Sequence, residues 1–322
     1  MTTRRPRSDA PARQLHIVTG KGGVGKTTMA GAVAHGLARS GRRVLVCEVE
    51  DRAAIGELFD RPGPLPEETL LTRTPAGGEI HGLSITAEDA LKEYLATFYR
   101  LGIAGKMLDR FGVFDFATSI APGLGDVLVT GKVYEAVRRR QRAMKNAYDA
   151  VVLDAPPTGR IANFLNVNEA VKGLAKVGPI HKQAAAIMAL LRSSKTVLHL
   201  VTVLEDMPVT ETIEAVADLT PTGITPVSVI CNKAVPLLSD ADAALIRDGH
   251  LSIDGIDDAT TTALHRQLTH AADHAHREAE HRARLQELGL PLVDLDLDPG
   301  GVDRSTLSAM GDVLADSLDL EG

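Results

Sequence analysis

The feature that most constrains this chain is a glycine-rich loop between a strand-like run and a helix-like run. The loop matches the pattern GxxxxGK[ST] and reads Gly20-Lys21-Gly22-Gly23-Val24-Gly25-Lys26-Thr27, followed by Thr28. An apolar run precedes it, and Met29, Val33 and Leu37 then recur at every fourth position. Strand, loop and helix in this order are the context in which the pattern marks a phosphate-binding loop. We therefore expect a nucleotide site here; a merely glycine-rich turn is the alternative.

Each residue type in the loop has a chemical use. Glycines let the backbone turn tightly and point its N–H groups inward, where they form a phosphate cradle with the helix N-terminus. Lys26 is expected to neutralise the β and γ phosphates, Thr27 to offer its hydroxyl to Mg²⁺, and Thr28 to contact the α-phosphate. The residues expected to line the nucleotide are Gly22, Gly23, Val24, Gly25, Lys26, Thr27 and Thr28.

Apolar runs of strand length recur along the chain, and helical patterns separate most of them. Such alternation predicts a doubly wound α/β fold, in which a mostly parallel sheet is covered on both faces and binds ligands at the carboxyl ends of its strands. The predicted strands are Leu15 to Thr19, Arg43 to Val49, Leu83 to Thr86, Ala150 to Leu153, Thr196 to Val203, Pro226 to Cys231 and Leu292 to Leu295.

The predicted domain organisation is a disordered tail at residues 1–13 and one phosphate-loop domain at residues 14–322. Two long segments, residues 88–146 and 161–194, lack strand signals and carry helical spacing. We expect them to form an inserted helical subdomain. Because one segment precedes Asp154 and the other follows it, the subdomain should pack beside the nucleotide site.

A second segment pairs a metal ligand with a stiff turn. The apolar run Ala150 to Leu153 leads into Asp154, which would lie at the carboxyl end of a strand and is suited to hold Mg²⁺, through water. Pro156-Pro157-Thr158-Gly159 follows as a rigid turn with one hinge, suited to sensing a γ-phosphate through backbone N–H groups. A plain turn is the alternative.

These two segments together resemble a known family. Lys21 gives the loop a second lysine, as in the deviant phosphate-loop ATPases, and DAPPTGR after KGGVGKTT is similar to the arsenite-pump and tail-anchored-protein targeting ATPases. The resemblance runs from residue 14 to near the end and looks most like actinobacterial members that occur as paired paralogues. It implies ATP hydrolysis by a dimer in which Lys21 reaches the partner's nucleotide; an idle, solvated Lys21 is the alternative.

The first switch departs from the family pattern. Where the family carries an aspartate that orients the attacking water, this chain has Glu50, within Glu48-Val49-Glu50-Asp51. A glutamate still offers a carboxylate that can accept a proton or hold water in line. Asp51 is the second candidate, and a solvated acidic loop is the alternative. Arg160 stands where the family has a histidine, and we assign it no role from the sequence.

The base pocket is predicted to take adenine. Asn232-Lys233-Ala234-Val235 ends a strand-like run, and Val235 replaces the aspartate that an NKxD guanine pocket requires. By resemblance, Asn232 hydrogen-bonds the adenine edge, and the segment containing Asp296, Asp298 and Pro299 closes over the base or ribose.

Composition limits the partners. The formal net charge is −7, so the overall balance gives no sign of nucleic acid as a partner. Cys47 and Cys231 lie in apolar runs, which favours buried thiols in a cytoplasmic protein over a zinc clasp or a metalloid site. The histidines between His265 and His281 alternate with charges, as on a solvated helix face, so metal binding there is the minor alternative. An integral membrane segment is not expected, because the apolar runs are too short.

The sequence therefore predicts an ATPase in which ATP and Mg²⁺ drive a conformational switch in a dimer, either a homodimer or a heterodimer with a paralogous ATPase. Lys21, Lys26 and Glu50 are the predicted catalytic residues, and Thr27 and Asp154 the predicted metal ligands. The alternative is a binding module in which nucleotide stabilises a heterodimer with little turnover, since the usual switch aspartate is missing. The sequence does not identify the client protein.

Overall fold

The structure is a computed structural model. It describes residues 13–49, 53–99, 123–142, 144, 146–174, 179–235, 239–248, 255 and 257–320. Two predictions fall outside these residues: the tail, except for Arg13, and the first-switch candidate Glu50 with its neighbour Asp51. Parts of the two segments predicted to be helical also lie outside them, at residues 100–122, 143, 145 and 175–178.

Eight strands of the described residues form one sheet. They are β1 (Leu15–Gly20), β2 (Arg43–Val49), β3 (Thr69–Arg73), β4 (Glu79–Ile85), β5 (Ala150–Asp154), β6 (Thr196–Thr202), β7 (Pro226–Ala234) and β8 (Leu292–Asp296). Their order is β3-β4-β2-β5-β1-β6-β7-β8. Among these described strands only the β3–β4 pair is antiparallel, which confirms the predicted doubly wound, mostly parallel sheet.

Helices connect the parallel strands. They are α1 (Lys26–Ala38), α2 (Ala54–Leu58), α3 (Ala87–Tyr99), α4 (Leu124–Gln141), α5 (Thr158–Leu174), α6 (Pro179–Leu191), α7 (Asp206–Leu219), α8 (Asp240–Arg247), α9 (Asp258–Gln286) and α10 (Arg304–Leu318). No helix within the described ranges is both long enough and apolar enough to cross a membrane.

The core has two layers, one on each face of the sheet. Alternate residues of each central strand point to opposite faces, so that Ile17 belongs to one layer and Val18 to the other. The layer that contains Val18 is completed by α1, α2 and α10, and the predicted apolar stripe Met29, Val33 and Leu37 is fully buried in it. Helices α4, α5, α6, α7 and α9 cover the other face. This arrangement leaves the carboxyl ends of β1, β2 and β5 together at one edge.

One edge of the sheet differs from the prediction. Instead of a single strand at Leu83 to Thr86, the chain forms a hairpin in which β3 pairs with β4, and β4 begins at Glu79. The turn ends in Gly77, whose φ is +85°, and Gly78. Strand β3 was missed because it is a short edge strand with two apolar residues, Leu70 and Leu71, which is a weak signal beside the continuous runs of the central strands.

The two segments predicted to be helical contain α3 and α4, and most of α5 with all of α6. Helix α4 contacts α3, α5, α6 and β5. Val133 of α4 and Phe164 of α5 are buried in the same core as the sheet residues Leu153 and Leu200. The helices are therefore present, and their division into a separate subdomain stays a prediction.

Candidate functional site

The glycine-rich loop connects β1 to α1 and depends on glycine at two points. Gly25, the residue before α1, has φ +97°, a left-handed conformation that side chains disfavour. A Cβ atom there would also lie 2.4 Å from Nδ2 of Asn232. At Gly20 a Cβ atom would lie 2.1 Å from the carbonyl oxygen of Val201. The loop therefore packs directly on the neighbouring strands β6 and β7.

The N-terminus of α1 differs from those of α8, α9 and α10. These three helices begin with side-chain caps from Ser239, Asp257 and Asp303, respectively. In α1 no side chain within the described residues caps the first turn, and the turn contains no acidic residue. First-turn N–H groups that no side chain occupies, together with the positive end of the helix dipole, favour a bound phosphate.

The two lysines of the loop occupy different environments. Lys26 is 5% exposed, and its Nζ donates to the carbonyl oxygen of Lys21 at 3.2 Å, which holds the ammonium group over the loop. The Lys21 side chain is 29% exposed and forms an ion pair with Glu211 of α7. Lys26 thus lies within the loop, and Lys21 lies at its border.

Thr27 connects the loop to β5. Its Oγ1 donates a hydrogen bond of 2.6 Å to Oδ2 of Asp154, which is buried at the end of that strand. A hydroxyl and a carboxylate side by side are hard oxygen donors of the kind that Mg²⁺ prefers, so the two residues present fit this ion. Thr28 follows on the first turn of α1 and is half-buried.

The second switch, by which we mean the predicted segment from Asp154 to Arg160, is attached to the sheet and to α7. The N–H of Ala155 donates to the carbonyl oxygen of Val18 at 2.9 Å. Oγ1 of Thr19 donates to the carbonyl oxygen of Pro156 at 2.6 Å. Thr158, the first residue of α5, donates from Oγ1 to Oε2 of Glu211 at 3.2 Å. The side chains of Thr19 and Glu211 therefore hold the predicted turn at Pro156 and at Thr158.

Arg160 pairs with an acidic residue of another helix. Its Nη2 lies 3.4 Å from Oδ1 of Asp126 in the first turn of α4, and the Arg160 side chain is 58% exposed. This contact links the second switch to the helices between β4 and β5.

The first switch is described only at its borders, since Glu50 lies outside the described residues. Before it, Glu48 is 1% exposed and lies beside Asp154 in the register of β2 and β5. Its Oε1 accepts from the N–H of Ala54 at 2.7 Å, and its Oε2 accepts from Oγ of Ser84 at 3.2 Å. Glu48 was not predicted from the sequence, although an acidic residue inside the apolar run VLVCEV was an available signal.

Asn232 braces the phosphate loop. Its Nδ2 donates to the carbonyl oxygen of Val24 at 2.8 Å, its Oδ1 accepts from the N–H of Lys233 at 2.9 Å, and the residue is buried. Lys233 has a left-handed φ of +56°. The structure thus brings the predicted base contact together with the predicted phosphate contacts.

Helix α9 supports the segment that follows Asn232. Glu278 is buried, and its Oε2 accepts from the N–H of Val235 at 2.9 Å. One turn later, Nε of Arg282 donates to Oδ2 of Asp294 in β8 at 2.9 Å. In the segment predicted to close over the base, Oδ1 of Asp298 accepts from the N–H of Gly300.

Two of the histidines of α9 make pairwise contacts with acidic residues of the same helix. His274 is 45% exposed and lies 3.7 Å from Glu278. Among the described residues, no group of three or more histidine, cysteine, aspartate or glutamate side chains is arranged to hold a metal ion. Cys47 and Cys231 are buried thiols without a disulfide, and burial raises the pKa of each to about 12.

Comparisons with known proteins identify the family of this chain. The family model described as "Anion-transporting ATPase" matches residues 13–198. The chain is 44% identical to the ATPase BagA of Mycobacterium tuberculosis over 315 residues, which cover 94% of this chain and 92% of that protein. It is 27% identical to the arsenical pump-driving ATPase of Escherichia coli over 251 residues, which cover 70% of this chain and 40% of the relative. The chain therefore belongs to the anion-transporting ATPase family and is an ATPase.

Proposed function

We propose that this ATPase uses Mg²⁺-dependent ATP hydrolysis to drive a conformational switch in a dimer. The observation that carries the proposal is the hydrogen bond between Thr27 and Asp154, which joins the phosphate loop to the second switch beside Lys26. A change at the γ-phosphate can be transmitted through this hydrogen bond to the rigid turn and to α5. Hydrolysis can therefore be coupled to movement of the helices on that face.

The nucleotide phosphates lie in the cradle formed by Gly22, Gly23, Val24, Gly25 and Lys26. The uncapped N-terminus of α1 and the buried ammonium of Lys26 both favour negative charge there. Thr27 and Asp154 hold Mg²⁺, and Thr28 contacts the α-phosphate. When bound, Mg²⁺ offsets the negative charge of the β and γ phosphates.

The base is adenine, held beside Asn232. This amide contacts the phosphate loop at Val24. A base beside it can therefore belong to the same nucleotide as phosphates bound in the cradle. Val235 gives the pocket no carboxylate for the donors of guanine at the fourth motif position. Glu278 fixes the N–H of Val235 and thereby the path of this segment.

Glu50 orients the water that attacks the γ-phosphate. It is two residues beyond Glu48, whose buried side chain fixes the chain on both sides of the switch through β2 and Ala54. A carboxylate on this segment can accept a proton from water or hold the water in line.

Lys21 completes the nucleotide site of the partner subunit. It lies at the border of the loop, and its side chain is a point charge on a flexible stem, which suits a contact made across an interface. The partner is a second copy of this chain or a paralogous ATPase.

The cysteine positions argue against regulation by a metalloid. Cys47 on β2 and Cys231 on β7 are separated by the three strands β5, β1 and β6, and a strand spacing of about 4.8 Å places them roughly 19 Å apart. With a pKa of about 12, neither thiol is ionised near neutral pH.

Two unpaired thiols also suit a reducing cytoplasm. The net charge of −7 favours no nucleic acid partner.

Light scattering and phosphate release with Mg²⁺ and either ADP or ATP test the proposal. We expect ATP-dependent dimers that release phosphate, with the suspected paralogue added in a parallel series to identify the right partner. Glu50→Gln should abolish turnover and leave ATP binding intact, whereas the matched change Asp51→Asn should retain most activity. Unchanged hydrolysis by Glu50→Gln would remove Glu50 from the mechanism. A monomer that binds ATP without hydrolysing it would favour the nucleotide-stabilised binding module.

A further inference from the structure

One carboxylate on α7 joins two segments of the site that are far apart in the chain. Glu211 forms an ion pair with Lys21 through Oε1, and its Oε2 accepts from Thr158 Oγ1 at 3.2 Å. Lys21 belongs to the phosphate loop and Thr158 to the second switch. Each oxygen of Glu211 thus has a partner in a different segment of the site.

The ion pair competes with the role proposed for Lys21. An ammonium group bound to Glu211 in its own subunit cannot at the same time contact a nucleotide in the partner. The Lys21 and Glu211 side chains are each 29% exposed, so solvent screens their attraction in part and the pair can break at modest cost. A triphosphate carries several negative charges, whereas Glu211 carries one. A nearby triphosphate therefore attracts the Lys21 ammonium more strongly than Glu211 does.

We propose that Glu211 is a positioning residue that holds Lys21 within its own subunit until the second switch responds to ATP. This inference rests on the proposed function, because it takes Lys21 as the residue that enters the partner's site. When the second switch moves toward a γ-phosphate, Thr158 leaves Oε2 of Glu211, and the carboxylate loses one of the two contacts that fix it. Lys21 is then released to the partner's nucleotide, so the switch state of one subunit controls what it offers to the other.

The position of Glu211 in α7 supports this role. The following residue, Thr212, is buried, and its Oγ1 donates to the carbonyl oxygen of Pro208 within the helix. The helix is also attached to α9, because Arg284 pairs with Asp206 and donates to Oγ1 of Thr210. The carboxylate therefore projects from a helix that is anchored on both sides, and the proposal assigns the movement to Lys21 and Thr158.

Glu211→Gln tests the proposal, since it removes the charge and retains an amide oxygen that can accept from Thr158. We expect the variant to dimerise at about five-fold lower ATP concentration than the natural chain, with ADP-dependent dimers appearing as well, because Lys21 no longer has to leave an ion pair. Glu214→Gln, an exposed acid on the same helix, should leave the midpoint unchanged. Glu211→Asp keeps the charge and should restore a midpoint near that of the natural chain. Light scattering across an ATP titration measures these four proteins and Lys21→Met.

The outcomes separate this inference from the proposed function. If the natural chain does not dimerise with ATP, or if Lys21→Met dimerises as well as the natural chain, the role of Lys21 across the interface is wrong. If the natural chain dimerises and Lys21→Met does not, but Glu211→Gln has the same ATP midpoint as Glu214→Gln, the proposed function stands and the role of Glu211 is overturned. A higher ATP midpoint for Glu211→Gln would likewise overturn it.

Discussion

Two buried histidines are expected to make the folding stability depend on pH below neutrality. His16 of β1 and His199 of β6 are fully buried and stack with a ring separation of 5.6 Å. Nδ1 of His16 lies 3.3 Å from Nε2 of His199, whose Nδ1 lies 2.8 Å from Oγ of Ser228. Burial lowers the pKa of His199 to about 4, and the positive charge of Arg13 adds to this effect. The pKa of His16 is lowered well below its usual range, first by burial and then by His199.

The sign and size of the effect follow from these pKa values. In the unfolded chain His199 binds a proton near pH 6.5, whereas in the folded chain it does so only near pH 4. Between these values the unfolded state holds more protons, so the stability is fully present above about pH 6.5 and is lost as the pH falls toward about 4. Linkage gives a loss of about 2 kcal/mol at about pH 5 from His199 alone, and about 3 kcal/mol at about pH 4.

Urea unfolding followed by far-UV circular dichroism measures this loss, and it suits a chain that contains no tryptophan. The free energy of unfolding should fall between about pH 8 and about pH 5. The fall should be about 2 kcal/mol smaller in His199→Asn than in the natural chain. His276→Gln is the control, because His276 is 62% exposed on α9, and it should keep the full pH dependence. If His199→Asn and the natural chain lose the same free energy over this range, the assignment of the pH dependence to the buried pair is wrong.

Two further predictions concern the nucleotide site. Gly25→Ala should abolish nucleotide binding and destabilise the fold by about 1 to 3 kcal/mol, because φ is +97° and a Cβ atom would lie 2.4 Å from Asn232. Urea unfolding measures the loss of stability, with Gly22→Ala as the control because a Cβ atom there has no neighbour within 4 Å. Nucleotide titration of Gly25→Ala against the natural chain measures the loss of binding. Glu278→Ala should cost about 1 to 3 kcal/mol and weaken nucleotide binding, because it leaves the N–H of Val235 without its acceptor. Calorimetric titration measures the affinity for ATP. Equal affinities of Glu278→Ala and Glu278→Gln would contradict this prediction.

The parts of the site that follow one another in the chain were predictable. The phosphate loop is a contiguous motif whose glycines have a local cause, as the left-handed φ of Gly25 illustrates. The central strands are continuous apolar runs because both faces of the parallel sheet are covered. Asp154 was expected at the carboxyl end of a strand, where this class of sheet binds its ligands. The structure places it there, at 2.6 Å from Oγ1 of Thr27. Their roles toward Mg²⁺ remain proposals.

The contacts between distant segments were not predictable. Glu211 lies 190 positions from Lys21, and Glu278 contacts Val235 across 43 positions. Nothing in the local pattern of α7 or α9 distinguishes these glutamates from the exposed acids beside them, because only the packing of each helix on the sheet decides which side chain meets the site. Strand β3 was missed for a related reason, since an edge strand is defined by its pairing with β4 more than by its own composition.

Three glutamates outside the phosphate-binding motif therefore control three segments of the site. Glu48 fixes the chain beyond the first switch, Glu211 joins the phosphate loop to the second switch, and Glu278 fixes the segment after Asn232. Glu48 and Glu278 are buried and accept backbone N–H groups, so each acts as a fixed support. Glu211 is partly exposed, and it binds side chains that ATP can draw away. This difference in exposure and partners is what assigns the movable contact to Glu211 and leaves the other two as the frame against which it moves.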